Sequence, residues 1–488
     1  MASTRYIAID LGAESGRVML GTLEHGRLEL EEIHRFGNVP VEIAGGLHWN
    51  IRQLWSEIEV GVGEAMRRGG GKVDGISTDS WGVDYVLVDR RGEILSPPFI
   101  YRDPRHAGPY ERLMRDPGAA YIFDQSGIQL MSINTLYQLC AEPVELLQKA
   151  DAMLLIGDYF NYLIAGSSRQ PRSEMSLAST TQLLNVKTRA WADPLIDRAG
   201  LPRKIFTPIV ESGTTLGPSR FSPSMQAIAT CSHDTGCAVA AVSADAQPGW
   251  AYISSGTWSL AGVELNAPIV TDRCRELGFT NEQGVNGTTR LLKNISGLYM
   301  LQQCRATWKA AGEDFNYEQL ALMAEAAGGA GGVASLIRPE SAAFGLPGNM
   351  PERITQYCGA TGEAAPSSPG EFVRCVYESL ALLYRKTLLE LQELTGVQIN
   401  RLHIVGGGSR STLLNQLTAD ACGIPVIAGP VEATSMGNVL IQGQTLGHIG
   451  AGDIRKIVRA SCAPSPFEPI DTQRMQQAFE GFLRLPVK

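Results

Sequence analysis

Apolar and polar positions divide the start of the chain into short segments of strand and helix length. Tyr6-Ile7-Ala8-Ile9 is an unbroken apolar run, Gly12 to Gly16 is rich in turn formers, and Arg17-Val18-Met19-Leu20 resumes an apolar run. That order predicts a β-hairpin, and alternation over residues 27–35 predicts a third strand. Asn50 with Gln53 three residues on has the arrangement of a capping box, and the apolar spacing behind it predicts a helix to about Met66. Strands are expected over residues 75–79 and 85–88. Three antiparallel strands followed by alternating helices and strands predict a mixed α/β domain.

The same plan restarts about half the chain later. Trp250-Ala251-Tyr252-Ile253 reads as a strand, Ser254-Ser255-Gly256-Thr257 as a tight polar turn, and residues 258–263 as a second strand, which suggests an internal duplication. Residues 326–333 and 343–370, rich in Gly, Pro and Ser, read as surface loops. A strongly marked helix follows: Ser368, Pro369 and Glu371 stand at N-cap, N1 and N3, and Phe372, Val376, Leu380, Leu383, Leu391 and Leu394 recur at helical spacing. Gly396 is its expected stop. Next come a strand at Leu402-His403-Ile404-Val405, the triple glycine Gly406-Gly407-Gly408, and a helix from about Ser411 to Cys422. Such junctions lie at the carboxyl ends of strands, where open α/β sheets bind ligands.

At 488 residues the chain exceeds one hydrophobic core, which stops growing near roughly 250–300 residues. Two lobes are therefore expected, 1–244 and 245–488, with a cleft between them. A net charge of −8 supplies no basic field for nucleic acid or an anionic membrane, so anionic ligands must be held locally by backbone amides and a few cations. No run reaches the ~20 apolar residues needed to span a bilayer, and Asp10 interrupts the N-terminal run too early for a signal core. Nine scattered cysteines show no Cys-x-x-Cys spacing and read as reduced thiols of a cytoplasmic protein.

Several residues could carry chemistry, each with a plainer alternative. Asp10 ends an apolar strand, where Asp is disfavoured; it is either a carboxylate for hydrated Mg²⁺ or a turn Asp bonding its own backbone. Gly12-Ala13-Glu14-Ser15-Gly16-Arg17 offers amides, a hydroxyl and a guanidinium to phosphate oxygens, or is a simple hairpin turn. Ser255-Gly256-Thr257 offers the same chemistry again. In Ser232-His233-Asp234-Thr235-Gly236 the aspartate could accept a hydroxyl proton during phosphoryl transfer, or cap a helix starting near Thr235, or both. The triple glycine fails the dinucleotide fingerprint, since Ser411 stands at the third glycine; it could pack against adenine or be a tight turn. No Walker A loop is present. Gly82, Asp84, Tyr101-Arg102-Asp103 and Arg105 are dense in groups for sugar hydroxyls, or form surface salt bridges and turns, with Trp81 a core residue.

Together, AIDLGAESGRVML, STDSWGVDYVLVD, YRDPR, SINTLYQL, SHDTGCAV, YISSGTWSL, LLKNISGLYMLQ, ESLALLYR and LHIVGGGSRSTLLNQLTADACGIPVIAGPVEATSMGN resemble the FGGY carbohydrate kinase family, most closely its rhamnulokinase branch, from residue 7 to residue 438. The resemblance implies two actin-like, ribonuclease-H-like α/β lobes closing over ATP and a ketose. It implies Asp234 as general base; Ala13, Glu14, Ser15, Gly16, Arg17 and Thr257 at the ATP phosphates; Asn294 and Gln302 near the nucleotide; and Gly407 near adenosine. Gly82, His233, Asp234 and Thr235 would contact the sugar, and Asp10 would organise Mg²⁺ through water. Three positions depart from the family pattern: Glu14 replaces a small residue, Asn134-Thr135-Leu136-Tyr137 replaces the broader Lys-Trp-type signature, and Met436 replaces Leu or Ala. The reaction expected is phosphorylation of rhamnulose at O1 in a cytoplasmic monomer or weak homo-oligomer. The alternatives are a kinase of fuculose, xylulose or another polyol, and an actin-like nucleotide-binding protein without sugar transfer.

Overall fold

The apolar run at the start of the chain becomes the middle of a sheet. In the computed structural model, which describes residues 3–166, 170–245, 247–328 and 335–487, β1 (Thr4–Leu11) pairs antiparallel with β2 (Ser15–Glu24), which pairs with β3 (Arg27–Gly37). α1 (Ile51–Arg68) follows, then β4 (Gly75–Ser80), α2 (Ile156–Ala165), the hairpin of β5 (Thr214–Ser219) and β6 (Ser222–Ala229), and α3 (Asp234–Ala240). The six strands lie in the order β5-β6-β4-β1-β2-β3, with β1 and β6 both parallel to β4. A strand covered on both faces needs apolar residues throughout rather than alternation, and Tyr6, Ile7, Ala8 and Ile9 are all wholly buried. Asn50 caps α1 as expected, its side chain accepting from the Gln53 amide at 3.2 Å. Only this half of the capping box forms: the Gln53 side chain donates to Gly37 O instead.

Beyond α3 the chain supplies β7 (Trp250–Ser255), β8 (Ser259–Leu265), the hairpin of β9 (Thr280–Gln283) and β10 (Thr289–Ile295), α4 (Tyr299–Ala310), α5 (Pro369–Thr395), β11 (Arg401–Val405), α6 (Thr412–Cys422), β12 (Val426–Ala428), α7 (Ala433–Thr445) and β13 (Ser465–Phe467). Strands β8-β7-β11-β12-β13 run consecutively in a second sheet. Its β7–β8 hairpin is antiparallel and β7 is parallel to β11, the arrangement that β2, β1 and β4 show in the first sheet. α5 carries the caps expected of it, with Ser368 accepting from the Glu371 amide, Pro369 at N1 and Gly396 left-handed at φ 69°. Ser411 caps α6.

Two departures are local. Of the segment 326–333 expected as a loop, Ala326 and Ala327 end a helix, Gly328 follows it, and residues 329–334 lie outside those described. Within 343–370 a helix forms at Met350–Thr361, because Asn349 caps it by accepting from the Glu352 amide and Pro351 stands in its first turn. Composition masked that cap.

The chain packs as two units, one of Met1–Ala241, Glu264–Leu292 and Ala433–Cys462, the other of Val242–Val263, Lys293–Glu432 and Ala463–Lys488. The expected cut after residue 244 falls beside the first junction, and two later segments return to the first unit.

α7 is one of those returning segments, and one of its faces lies on the first sheet. Ser435, Asn438 and Gln442, spaced three and four apart, bond to Asp10, Asp79 and the Ile7 carbonyl. The same helix meets α3 at Gly437, where an added Cβ would come within 1.9 Å of the Cys237 carbonyl oxygen. Gly437→Ala is expected to lower unfolding stability by about 1–3 kcal/mol, because backbone on both sides must yield. Denaturant unfolding checks this; an unchanged midpoint would refute the close approach.

Candidate active site

Strand register alone collects charge at one end of the first sheet. Asp10 lies opposite Arg17 on β2 and level with Asp79 on β4. The Arg17 Nη2 donates to Asp10 Oδ2 at 2.5 Å, and Ser435 Oγ to the same oxygen at 3.4 Å. Asp79 is wholly buried; Asn438 Nδ2 donates to its Oδ2 at 2.6 Å. Burial first, then the charge of Asp10, and then that of Asp234, outweigh that bond and push the Asp79 carboxyl well above the ordinary range.

Asp234 is the third carboxylate of this group and the most accessible. Its side chain keeps 30% of its surface exposed, against 10% for Asp10. It is the first residue of α3, with His233 as the N-cap, so the expected alternative of an Asp cap is not what forms. Its Oδ1 accepts from the Thr235 amide at 2.5 Å and from Thr235 Oγ1 at 3.1 Å, and lies 3.5 Å from His233 Nε2. Burial raises the carboxyl above its usual value, His233 opposes the rise and Asp10 adds to it.

The loop before α3 is tied down on both sides. The Ser80 amide donates to Ser232 O, the Ser232 amide to Glu174 Oε2 at 3.0 Å, and the His233 amide to Ser176 Oγ at 3.1 Å. Behind His233 stand two residues that no motif singled out: Glu282 Oε2 and Arg290 Nη2 each lie 3.2 Å from its Nδ1. They face each other across the β9–β10 hairpin. Asp79, Glu174 and Asn438 were likewise passed over. The available signal was a charged or amide side chain inside an otherwise apolar element, which is uncommon without a partner.

The hairpin between β1 and β2 holds Ala13, Glu14 and Ser15 at its tip. Gly12 N bonds Ser15 O, and Asn38 fixes the tip by donating its amide to Glu14 O and its side chain to Gly12 O. An added Cβ on Gly16 would come within 2.3 Å of the Phe36 ring, so this glycine is set by packing. Gly82 is similarly crowded by Thr180, 3.0 Å from such a Cβ, and the Val83 amide donates to Thr180 Oγ1.

In the second unit the β7–β8 turn is closed by Gly256 N to Trp258 O, and Gln302 Nε2 donates to Thr257 Oγ1 at 3.1 Å. The glycine turn packs on the same hairpin: an added Cβ on Gly408 would lie 2.0 Å from Ser255 Oγ, while one on Gly407 would meet open space. Thr257, Gln302 and the glycine turn therefore share the end of one sheet. Asn294 is on β10, half-buried.

Other first-lobe expectations resolve as structure. Asp84 is wholly buried and accepts from Trp49 Nε1 at 2.6 Å, Trp81 Nε1 at 3.0 Å, the Tyr101 amide at 3.2 Å and Gln138 Nε2 at 3.0 Å. Asp103 caps Arg105 N and accepts from Leu47 N, and Arg105 pairs with Glu142 at 3.0 Å. Each of these groups has protein partners, as the plainer alternative of turns and salt bridges expects. Thr135 braces the Gly82 turn, its Oγ1 donating to Val83 O at 2.6 Å, while the Asn134 side chain donates to Gln129 O and Gln182 Oε1. A cavity of about 440 Å³, lined in part by Asp158, Asn161, Arg172 and Glu174, includes none of the expected site residues.

Among the described residues no cluster of three or more His, Cys, Asp or Glu could enclose a metal ion. Asp10 and Asp79, the latter with a buried Oδ1 lacking a bond, form an oxygen-only, carboxylate-only set. Such a set fits Mg²⁺, which keeps most of its waters and uses one or two carboxylates beside phosphate oxygens.

Burial lifts the Asp84 carboxyl from 3.8 to about 6 against the pull of its four donors. The unfolded chain releases this proton at lower pH than the folded one, so the contribution of Asp84 to stability falls as pH rises from about 4 to about 6 and then levels. The displacement corresponds to roughly 3 kcal/mol. Asp84→Asn removes this slope; urea unfolding of both proteins between pH 4 and 7 checks it, and parallel stability curves would contradict it.

The model of the FGGY family of carbohydrate kinases, N-terminal domain, matches residues 5–240, and that of its C-terminal domain matches residues 251–446. A protein named rhamnulokinase from Bacteroides thetaiotaomicron is 39% identical over 488 residues, covering 98% of each chain. One of the same name from Pectobacterium carotovorum is 41% identical, covering 92% of this chain and 90% of its own. In structure, xylulose kinase from Lactobacillus acidophilus superposes with a TM-score of 0.80 at 15% identity over 98% and 97% of the two chains. Glycerol kinase from Plasmodium falciparum with ADP gives 0.80 at 13% over 99% of each. These likenesses bear out the expected fold of two actin-like α/β lobes, and family membership makes the chain an ATP-using sugar kinase. With both domain models matched and relatives alike over nearly the full length, the chain belongs to the FGGY family of carbohydrate kinases.

Proposed function

We propose that the chain transfers the γ-phosphoryl group of ATP to the O1 hydroxyl of L-rhamnulose, with Asp234 as general base. The observation that carries this reading is the state of Asp234: a carboxylate of raised basicity, 30% exposed, whose bonds from the described residues converge on Oδ1. Oδ2 is the oxygen that takes the O1 proton, while in-line attack on the γ-phosphorus releases ADP. The sugar assignment is supported by the relatives named rhamnulokinase. His233, Thr235 and Gly82 contact the ketose in this reading.

Charge on the phosphates falls to the two hairpin turns. Ala13 to Arg17 offer amides, the Ser15 hydroxyl and the Arg17 guanidinium. Thr257 and Gln302, already bonded to one another, serve the phosphates and nucleotide from the second unit, with Gly407 leaving room for adenosine. Asn294 lies near the nucleotide in this reading. Glu14 carries its charge at an exposed tip position. Mg²⁺, held through water by Asp10, supplies charge neutralisation when bound. The enzyme acts in the cytoplasm, a reading supported by nine cysteines all present as free thiols.

ADP release measured over L-rhamnulose, L-fuculose and D-xylulose tests the reading. L-rhamnulose is expected to lead in kcat/KM, and the rate is expected to climb with pH as Asp234 ionises, with its midpoint above the ordinary aspartate value because the folded carboxyl is harder to ionise. Asp234→Asn is expected to lower kcat by about 10²–10⁴ with ATP binding retained. A folded Asp234→Asn protein of near-normal activity would remove the base assignment, and a flat response across sugars would remove the substrate.

A further inference from the structure

We propose that Arg290, with its charge balanced by Glu282, is a positioning residue for the base: it donates to His233 Nδ1 and so fixes the His233 tautomer whose Nε2–H faces Asp234. The inference rests on the kinase reading, because it assigns the group that Arg290 serves.

Three features of geometry carry it. First, Arg290 is wholly buried, and a guanidinium is a donor only. Its Nη2 lies 3.2 Å from His233 Nδ1 in hydrogen-bonding geometry, which requires a lone pair, not a proton, on that nitrogen. Second, Glu282 Oε2 lies 3.2 Å from the same Nδ1 and 3.2 Å from Nη2, yet no aligned N–H reaches it. Its charge balances that of Arg290, and it is the competing acceptor for any proton on Nδ1. Third, Arg290 cannot swing away, because its Nε and Nη2 both donate to Gln283 O, at 3.2 and 3.1 Å. Cross-strand pairing of Glu282 with Arg290 fixes the couple in register.

The consequence reaches the reacting carboxylate. With Nδ1 occupied, the imidazole proton sits on Nε2, 3.5 Å from Asp234 Oδ1. His233 then supports Oδ1 together with Thr235 and does not compete as a base. The charged groups facing His233 are Asp234, Glu282 and Arg290; those facing Asp234 are His233, Asp10 and Asp79. Loss of Arg290 alone leaves Glu282 against Nδ1, and the imidazole then takes a second proton to satisfy it. The resulting cation beside Asp234 stabilises its ionised form and weakens it as a base.

The test has two arms. Side-chain ¹⁵N spectra of the wild-type protein near pH 7.5, with His233 assigned through His233→Gln, are expected to show a neutral ring protonated at Nε2. A proton on Nδ1 would overturn the proposal, and this arm needs no turnover, so it stands apart from any failure of wild-type sugar phosphorylation. In the second arm, Arg290→Met is expected to lower kcat by about 10- to 100-fold, with KM for ATP within about twofold. The acid limb of its kcat/KM profile moves to lower pH, and Glu282→Gln added to Arg290→Met returns the limb toward its wild-type position. A folded Arg290→Met protein with an unmoved acid limb would reduce Arg290 to a structural role; should it not fold, the wild-type spectrum decides.

Discussion

Three carboxylates held close together in a buried region are the constraint from which the rest of the first unit follows. Burial raises the cost of ionising Asp79 and Asp234, the charge of Asp10 adds to both, and that of Asp234 adds further to Asp79. A fold does not keep such a group without compensation, and each member has its own. Arg17 holds Asp10, Asn438 donates to Asp79, and His233 with Thr235 supports Asp234. The compensation is unequal, and that inequality assigns roles. Asp79, wholly enclosed, is pushed furthest toward its neutral form; Asp234, part-exposed, remains available as a base of raised strength.

Secondary structure supplies the convergence. Parallel pairing of β1 with β4 brings Asp10 level with Asp79, and antiparallel pairing with β2 brings Arg17 opposite. α7, far along the chain, returns to the first unit and lays Ser435 and Asn438 onto these two carboxylates. Its close approach at Gly437 to α3 links the helix that steadies Asp79 to the one that begins with Asp234. Positioning is thus a property of regular elements rather than of flexible loops, which suits chemistry dependent on placement to within about an ångström.

Much of this was legible in the sequence where physics is local. The β1–β2 hairpin, the Asn50 and Ser368 caps, the Gly396 stop and the Ser411 start depend on residues a few positions apart, and they formed as the pattern predicts. The Asn349 cap was equally local but lay in a Gly- and Pro-rich stretch whose composition read as loop. The Asp84 bonds to Trp49 and Gln138, and the contacts of Glu282 and Arg290 with His233, depend on pairings across dozens of residues that no local pattern encodes. In the sequence Asp84 suits either a sugar contact or a salt bridge or turn; only the fold shows its four donors already in place.

A direct titration of Asp234 probes the electrostatic account at its root. Carboxyl-¹³C spectra of aspartate-labelled protein, with Asp234 assigned through its Asn variant, report its ionisation without substrate or turnover. The account predicts a midpoint above the ordinary aspartate value that falls when Asp10→Asn removes the neighbouring charge. A midpoint at or below the ordinary value, indifferent to Asp10, would contradict it.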